Sequence, residues 1–315
     1  MPQNKMFAAI TVVAMMAGSA LAQHNPASRL PLHERSASLQ QKRAETGIGN
    51  NPFLPVDYPG GIANQNPFAI NDNGRIVGVA ILPNGTIKGY LLSGRSFKDI
   101  VYPGAKASAA YGINKSGLIV GIHCDDVNCN VFHGFSLQGQ TFTSLDFPGG
   151  VNTNPSSVNN AGDIVGYYQT SDFALHGFML HQGVYTSIDV PGANETIAFG
   201  INNQGVIAGG YGTPDGSGHG FILQGGVFTQ VDYPGALGTE LTSINDSGDA
   251  VGNYNNSGDL SNYGLFMSGG VLTRFQVPFP GSISTLPWGM NNRHQIVGSY
   301  GSYPPDYFFG FLTTY

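Results

Sequence analysis

The chain is 315 residues long, 41% hydrophobic and only 10% charged, which is apolar material enough for a large core, and its 46 Gly and 19 Pro imply many tight turns. From residue 53 onward eight Lys/Arg face 17 Asp/Glu, an excess of nine negative charges. That balance excludes a nucleic-acid partner, which needs a basic stripe to neutralise phosphates; it suits solubility outside the cell, a cation or a basic partner.

At the start of the chain Lys5 precedes the apolar stretch Met6–Met16, and Ala20 and Ala22 put small residues where a signal peptidase cuts. Residues 1–22 therefore read as a secretory signal peptide removed before Gln23. The apolar run is too short to span a bilayer, and no later stretch approaches the ~20 apolar residues a spanning helix needs. Residues 23–52 mix Arg29, Arg35, Lys42 and Arg43 with Glu34, Glu45 and many polar residues. They read as a flexible, mildly basic linker.

Residues 53–315 are one repeat domain. Asn71, Asn114, Asn159, Asn202, Asn245 and Asn291 each follow a hydrophobic residue and stand 43, 45, 43, 43 and 46 residues apart. Three further marks keep the same phase: a Gly ending the next apolar run (Gly78, Gly121, Gly166, Gly209, Gly252, Gly298), an HGF-like triplet (at His133, His176, His219 and, as FGF, Phe309), and a Pro-Gly pair (at Pro59, Pro103, Pro148, Pro191, Pro234, Pro280). Short runs rich in Val, Ile, Phe and Tyr between these marks indicate an all-β chain. A unit of about 44 residues holds four short strands, the size of a propeller blade, whereas a β-helix coil needs about half as many.

The ends of the domain predict a closed ring. Phe309–Tyr315 is the third strand of a sixth unit with nothing after it, and Phe53–Gly60 is a fourth strand with nothing before it. Pairing the two gives a six-bladed β-propeller with four-stranded blades and no long open edge. Pro55 fits the outermost strand, where a missing N–H is tolerated. Two residues before each marker Asn the side chain is small (Ala69, Gly112, Ser157, Gly200, Ser243, Gly289), as crowding at the axis demands, and one position earlier stand Phe68, Tyr111, Phe199 and Trp288. Those rings are expected to wedge between adjacent blades.

The Asn-x-x-Gly segments read as turns between the first and second strands, Asn bonding to nearby backbone and Gly supplying positive φ. Arg293 and His294 break the pattern in the sixth copy, so its turn is expected to differ. A calcium loop is disfavoured because the closing acidic residue is missing. His133, His176 and His219 fall on equivalent third-strand positions, too far apart for one metal, and read as structural residues bonded to backbone. Asp57, Asp146, Asp189 and Asp232 read as turn anchors. Cys124 and Cys129, the only cysteines, are expected to form a disulfide within a second-to-third-strand loop. No metal or cofactor is expected.

The repeated GIN-x-x-G-x-IVG, HGF and DxPG marks resemble the extracellular HAF-type repeat, a family of secreted bacterial repeat proteins, across roughly Ile62–Tyr315. HGF stands where that family has His-Ala-Phe. The resemblance implies a secreted bacterial protein and carries over no catalytic residue.

Variable loops on a rigid scaffold usually hold the binding site. Here they are the connections between blades and between second and third strands. The former offer Asn64, Asn66, Lys106, Asn154, Asn194, Glu195, Glu240 and Trp288 around the channel mouth; the latter add Asp125, Asp126, Asp172, Asp215, Asp259 and Asp306. The expected function is therefore a secreted or periplasmic, monomeric, non-catalytic scaffold that binds an extracellular glycan, peptide or protein, with Asn66, Lys106, Asn154, Glu195, Glu240 and Trp288 as candidate ligand-binding residues. The alternative is a glycan hydrolase or lyase using Glu195 and Glu240 as an acid/base pair and Trp288 as a stacking platform. No nucleophile-elbow, zinc or phosphate-loop motif accompanies it.

Overall fold

The computed structural model describes residues 52–62, 65–256, 261–302 and 307–315. The expected signal peptide (1–22), all of the expected linker (23–52) but its last residue, and Asn64, Asp259 and Asp306 lie outside the described residues. Within them the secondary structure is all β, in 24 strands. Blade 1 comprises β2 (Asn66–Ile70), β3 (Ile76–Ile81), β4 (Ile87–Ser93) and β5 (Ser96–Ile100); blade 2 comprises β6 (Ala107–Ile113), β7 (Ile119–Cys124), β8 (His133–Gln138) and β9 (Thr141–Ser144). Blade 3 follows with β10 (Asn152–Val158), β11 (Ile164–Gln169), β12 (Leu175–His181) and β13 (Val184–Ile188). Blade 4 has β14 (Glu195–Ile201), β15 (Ile207–Gly212), β16 (Gly218–Gln224) and β17 (Val227–Val231). Blade 5 has β18 (Gly238–Ile244), β19 (Ala250–Asn255), β20 (Tyr263–Ser268) and β21 (Val271–Phe275). The last blade takes β22 (Ser284–Met290), β23 (Gln295–Ser302) and β24 (Tyr307–Thr314) from the end of the chain and β1 (Leu54–Val56) from its beginning.

Closure is as the sequence predicts. β1 pairs antiparallel with β24 in the register Leu54 to Leu312, Pro55 to Phe311 and Val56 to Gly310, at the outer edge of the sheet β1-β24-β23-β22. Phe53, just before β1, is buried and packs edge-on against Phe311 at 5.6 Å and Phe279 at 6.5 Å. Single parallel bridges, Ile87 to Ala107 and Gly218 to Gly238, tie neighbouring blades 1 and 2, and 4 and 5.

The repeat marks are packing requirements. The third residue of each HGF-like triplet (Tyr90, Phe135, Phe178, Phe221, Leu265, Phe311) is fully buried, worth roughly 1.5–3 kcal/mol apiece. That side chain pairs across from the glycine at the third position of the second strand in blades 1 to 5, as Phe221 does with Gly209. A Cβ on Gly209 would stand 2.2 Å from the Ile197 carbonyl and 2.5 Å from the Phe221 ring, so no other residue fits. The small position before each Asn is equally forced, since a Cβ on Gly200 would meet Ser243 Cα of the next blade at 2.9 Å.

Asn is specified for two reasons at once. In blade 4 the Asn202 Oδ1 accepts from the N–H groups of Gln204 and Val206, at 3.0 and 2.9 Å, closing the turn. Its Nδ2 donates across the blade boundary to the Asn245 carbonyl at 3.0 Å. The same outward bond runs from Asn71 to Asn114, Asn114 to Asn159, Asn159 to Asn202 and Asn291 to Asn71, at 2.8–3.3 Å. An amide belt therefore spans five of the six blade boundaries, a role beyond turn chemistry. The link from Asn245 to Asn291 is not made; across that boundary Thr242 Oγ1 donates to the Pro287 carbonyl at 2.8 Å and Asp246 N–H to Asn292 Oδ1 at 2.8 Å.

The sixth turn does not differ. His294 takes the glycine slot with φ of 55° and donates its N–H to the Asn291 carbonyl at 3.1 Å, as Gly74 does to Asn71 at 2.9 Å. A left-handed non-glycine residue is strained; the ring here is held by Asp249 Oδ2, 2.8 Å from Nε2.

Candidate functional site

Every innermost strand carries one unpaired extra residue. The register skips Phe68 in β2, Tyr111 in β6, Ser156 in β10, Phe199 in β14, Thr242 in β18 and Trp288 in β22. A β-bulge re-aims the extra side chain, and all six line a central cavity of about 50 Å3. The expectation that the rings wedge between blades holds where Phe68 packs against Tyr111 and Trp288 and where Phe199 packs against Tyr167 and Leu175 of blade 3; the bulge, which breaks the period-2 alternation, also brings all four to this cavity. Phe68 lies 4.7 Å from Tyr111 and 5.8 Å from Trp288 between ring centroids, at interplanar angles of 48° and 73°. Trp288 Nε1 donates to Ser299 Oγ at 2.9 Å.

Of the candidate residues, Asn154 and Trp288 line this cavity. Asn154 is buried and donates to Tyr167 Oη at 2.9 Å, bringing a second-strand tyrosine into the lining beside the small Ser156. Asn66 and Glu240, at the same strand level as Asn154 in their own blades, are both buried rather than at an open mouth. Glu240 is 4% exposed and accepts from Asn253 Nδ2 at 2.7 Å. Burial pushes its carboxyl up to about 7, against the pull of that hydrogen bond. Glu195 is partly exposed at the first residue of β14, paired with Gly212, two residues further out along its strand than the level of Glu240. Lys106 is exposed on the connection into β6.

The loop carboxylates are engaged in shaping turns. Asp172 and Asp215 accept from Thr170 and Thr213 hydroxyls at 2.5 and 2.6 Å, which hold both below the usual carboxylate range. Asp126 accepts from the N–H groups of Asn128 and Asn130, at 2.8 and 3.1 Å, inside the loop closed by the Cys124–Cys129 disulfide.

The same loop face carries a feature the sequence reading missed. His133, His176 and His219 bond through Nδ1 to Asp146, Asp189 and Asp232, thirteen residues later, at 3.1, 2.8 and 3.0 Å. Carboxylate, not backbone, is their partner, because the third strand starts and the fourth strand ends at this same edge. Each ring also faces an aromatic residue of the second strand: His133 stacks on His123 at 5.4 Å, His176 on Tyr168 at 5.2 Å, and His219 lies 5.1 Å from Tyr211. At three blade boundaries the aromatic before the Pro-Gly pair stacks on a second-strand ring of the next blade, Tyr102 on His123 at 3.7 Å, Phe147 on Tyr168 at 3.6 Å and Tyr233 on Tyr254 at 3.8 Å; before Pro191 stands Val190. Blade 1 replaces His with Lys88, which pairs with Asp99 at 2.7 Å and sits over Tyr58 at 5.0 Å. The recurrent thirteen-residue interval from His to Asp was the available signal. Among the described residues no three His, Cys, Asp or Glu side chains gather as a metal site, and no helix is long and apolar enough to cross a membrane.

Solved structures share this architecture. A fungal lectin from Aleuria aurantia, described as a six-bladed β-propeller with a novel fucose recognition mode, matches with 14% identity over 78% of this chain and 91% of its own, at a TM-score of 0.50. The chain has the six-bladed propeller fold. AofleA from Arthrobotrys oligospora matches at 12% identity over 84% of this chain and 87% of its own, with a TM-score of 0.56. A protein of unknown function from Dyadobacter fermentans matches at 11% identity over 83% and 97%, with a TM-score of 0.53. No family model matches the sequence, and no curated protein does.

Proposed function

We propose that the chain is a secreted, monomeric, non-catalytic propeller of the HAF-type repeat class that binds an extracellular glycan through its loop face. The observation that carries this reading is the His–Asp–aromatic cluster recurring in blades 2, 3 and 4. A sugar offers an apolar C–H face and a fan of hydroxyls; each cluster offers ring surface beside a partly exposed carboxylate and imidazole. Three copies on one face gain avidity for a ligand that repeats its sugars. The Aleuria aurantia neighbour, whose structure is described by its fucose recognition, lends support to the ligand class.

The test is a glycan array probed with the purified protein and with a variant carrying Asp146→Asn, Asp189→Asn and Asp232→Asn. Retention of signal for one glycan class by the unaltered protein, with at least about tenfold loss in the variant, supports the reading. No glycan above background, or equal binding by the variant, refutes it. One observation favours the enzymatic alternative, the raised carboxyl of Glu240. Release of reducing ends from a glycan that the protein binds, abolished by Glu240→Gln, would select that alternative.

A further inference from the structure

We propose that the central cavity is a binding site for a methylated ammonium group, a quaternary or trimethylated nitrogen carried by a small molecule or a side chain. The rings of Trp288, Phe68 and Tyr111, from consecutive blades 6, 1 and 2, form a continuous arc, and Phe199 stands in blade 4, opposite blade 1. Because the rings meet at 48° and 73° they wall a common space instead of stacking on one another. Aromatic faces within about 6 Å attract a cation through the ring quadrupole, and more strongly when it is desolvated.

Charge and hydrogen bonding narrow the guest further. Among the described residues no Lys or Arg lines the cavity, and the domain carries its excess of nine negative charges. Glu240 lies outside the lining, but its Cβ and Phe199 Cε2 both stand close to Gly210, 3.3 and 3.8 Å from the point where a Gly210 Cβ would be, so a buried acidic side chain is rooted beside the Phe199 ring. A glycine at 210 is what lets the acidic side chain come so close. Asn154, Ser156 and Thr242 add polar side chains to the lining beside Tyr111, so the space is not a purely apolar void. A primary ammonium would bring three donors that need acceptors, and the lining is mostly ring carbon; methyl groups remove that demand while the charge remains. The space, about 50 Å3, exceeds the about 10–15 Å3 that a single water requires, so it has room for a group larger than water.

The chain's one tryptophan is Trp288, so its fluorescence reports this cavity alone. Choline and tetramethylammonium chloride, titrated into the purified protein at constant ionic strength, are expected to change Trp288 emission saturably with midpoints below about 10 mM. The uncharged isostere of choline, 3,3-dimethylbutan-1-ol, is expected to bind at least about tenfold more weakly. Phe199→Leu should weaken choline about fivefold or more. Equal midpoints for choline and its isostere, or no saturable response, overturns the proposal; that contrast uses unaltered protein and holds even if the Phe199 variant fails to fold. Glycan-array results bear on the loop face and leave this outcome independent.

Discussion

Replacing Glu240 by Gln is expected to stabilise the protein at neutral and alkaline pH. The carboxyl is buried and held at about 7, against an ordinary 4.5. Between those values the folded state keeps a proton that the unfolded chain has released, so the contribution of this group is fully present below about pH 4.5 and is lost as pH rises through about 7. At 1.36 kcal/mol per unit, a rise from 4.5 to about 7 amounts to about 3 kcal/mol lost by pH 8. The amide of the Glu240→Gln variant would keep an acceptor for Asn253 Nδ2, now 2.7 Å from the carboxylate, while carrying no charge to bury. Urea unfolding of both proteins from pH 4 to pH 8 isolates the effect, because the contributions of every other group cancel in the difference. The variant should equal the parent near pH 4 and exceed it by up to about 3 kcal/mol at pH 8. A difference that stays flat across that range refutes the assignment of Glu240 as a buried acid.

Asn202→Asp keeps the turn acceptor but sets a carboxylate against the Asn245 carbonyl; thermal or urea unfolding should show a loss of about 1–3 kcal/mol. Phe53→Ala empties the contact with Phe311 and Phe279 and should cost about 3–5 kcal/mol by the same measurement. Replacing both Cys124 and Cys129 by Ser opens the bridge and should lower stability by about 2 kcal/mol, while the unaltered protein should show no titratable thiol, native or denatured, until a reductant is added.

Blade count, ring closure and the edge position of Pro55 were legible in the sequence because each depends on the phase of recurring marks, and six units repeat every constraint. The convergence of Phe68, Tyr111, Phe199 and Trp288 on one cavity was not, since alternation assumes one residue per pairing step and each inner strand inserts an extra one. The turn at His294 escaped for a related reason: glycine is the default for positive φ, and the contact with Asp249 that holds a bulkier residue there spans 45 positions. Of the candidate site, Asn154 and Trp288 do share a cavity. The His–Asp partnerships are not visible within a single strand, because the carboxylate arrives from the neighbouring one.

Pairing of β1 with β24 joins the earliest-synthesised part of the domain to the last. The circle can therefore be completed only after β24 has been made and is free to reach β1, so the ring stays unclasped while the intervening blades are synthesised. The two ends also meet on one blade at the outer rim, which makes any of the connections between blades a natural place to cut and rejoin the chain without altering its neighbours.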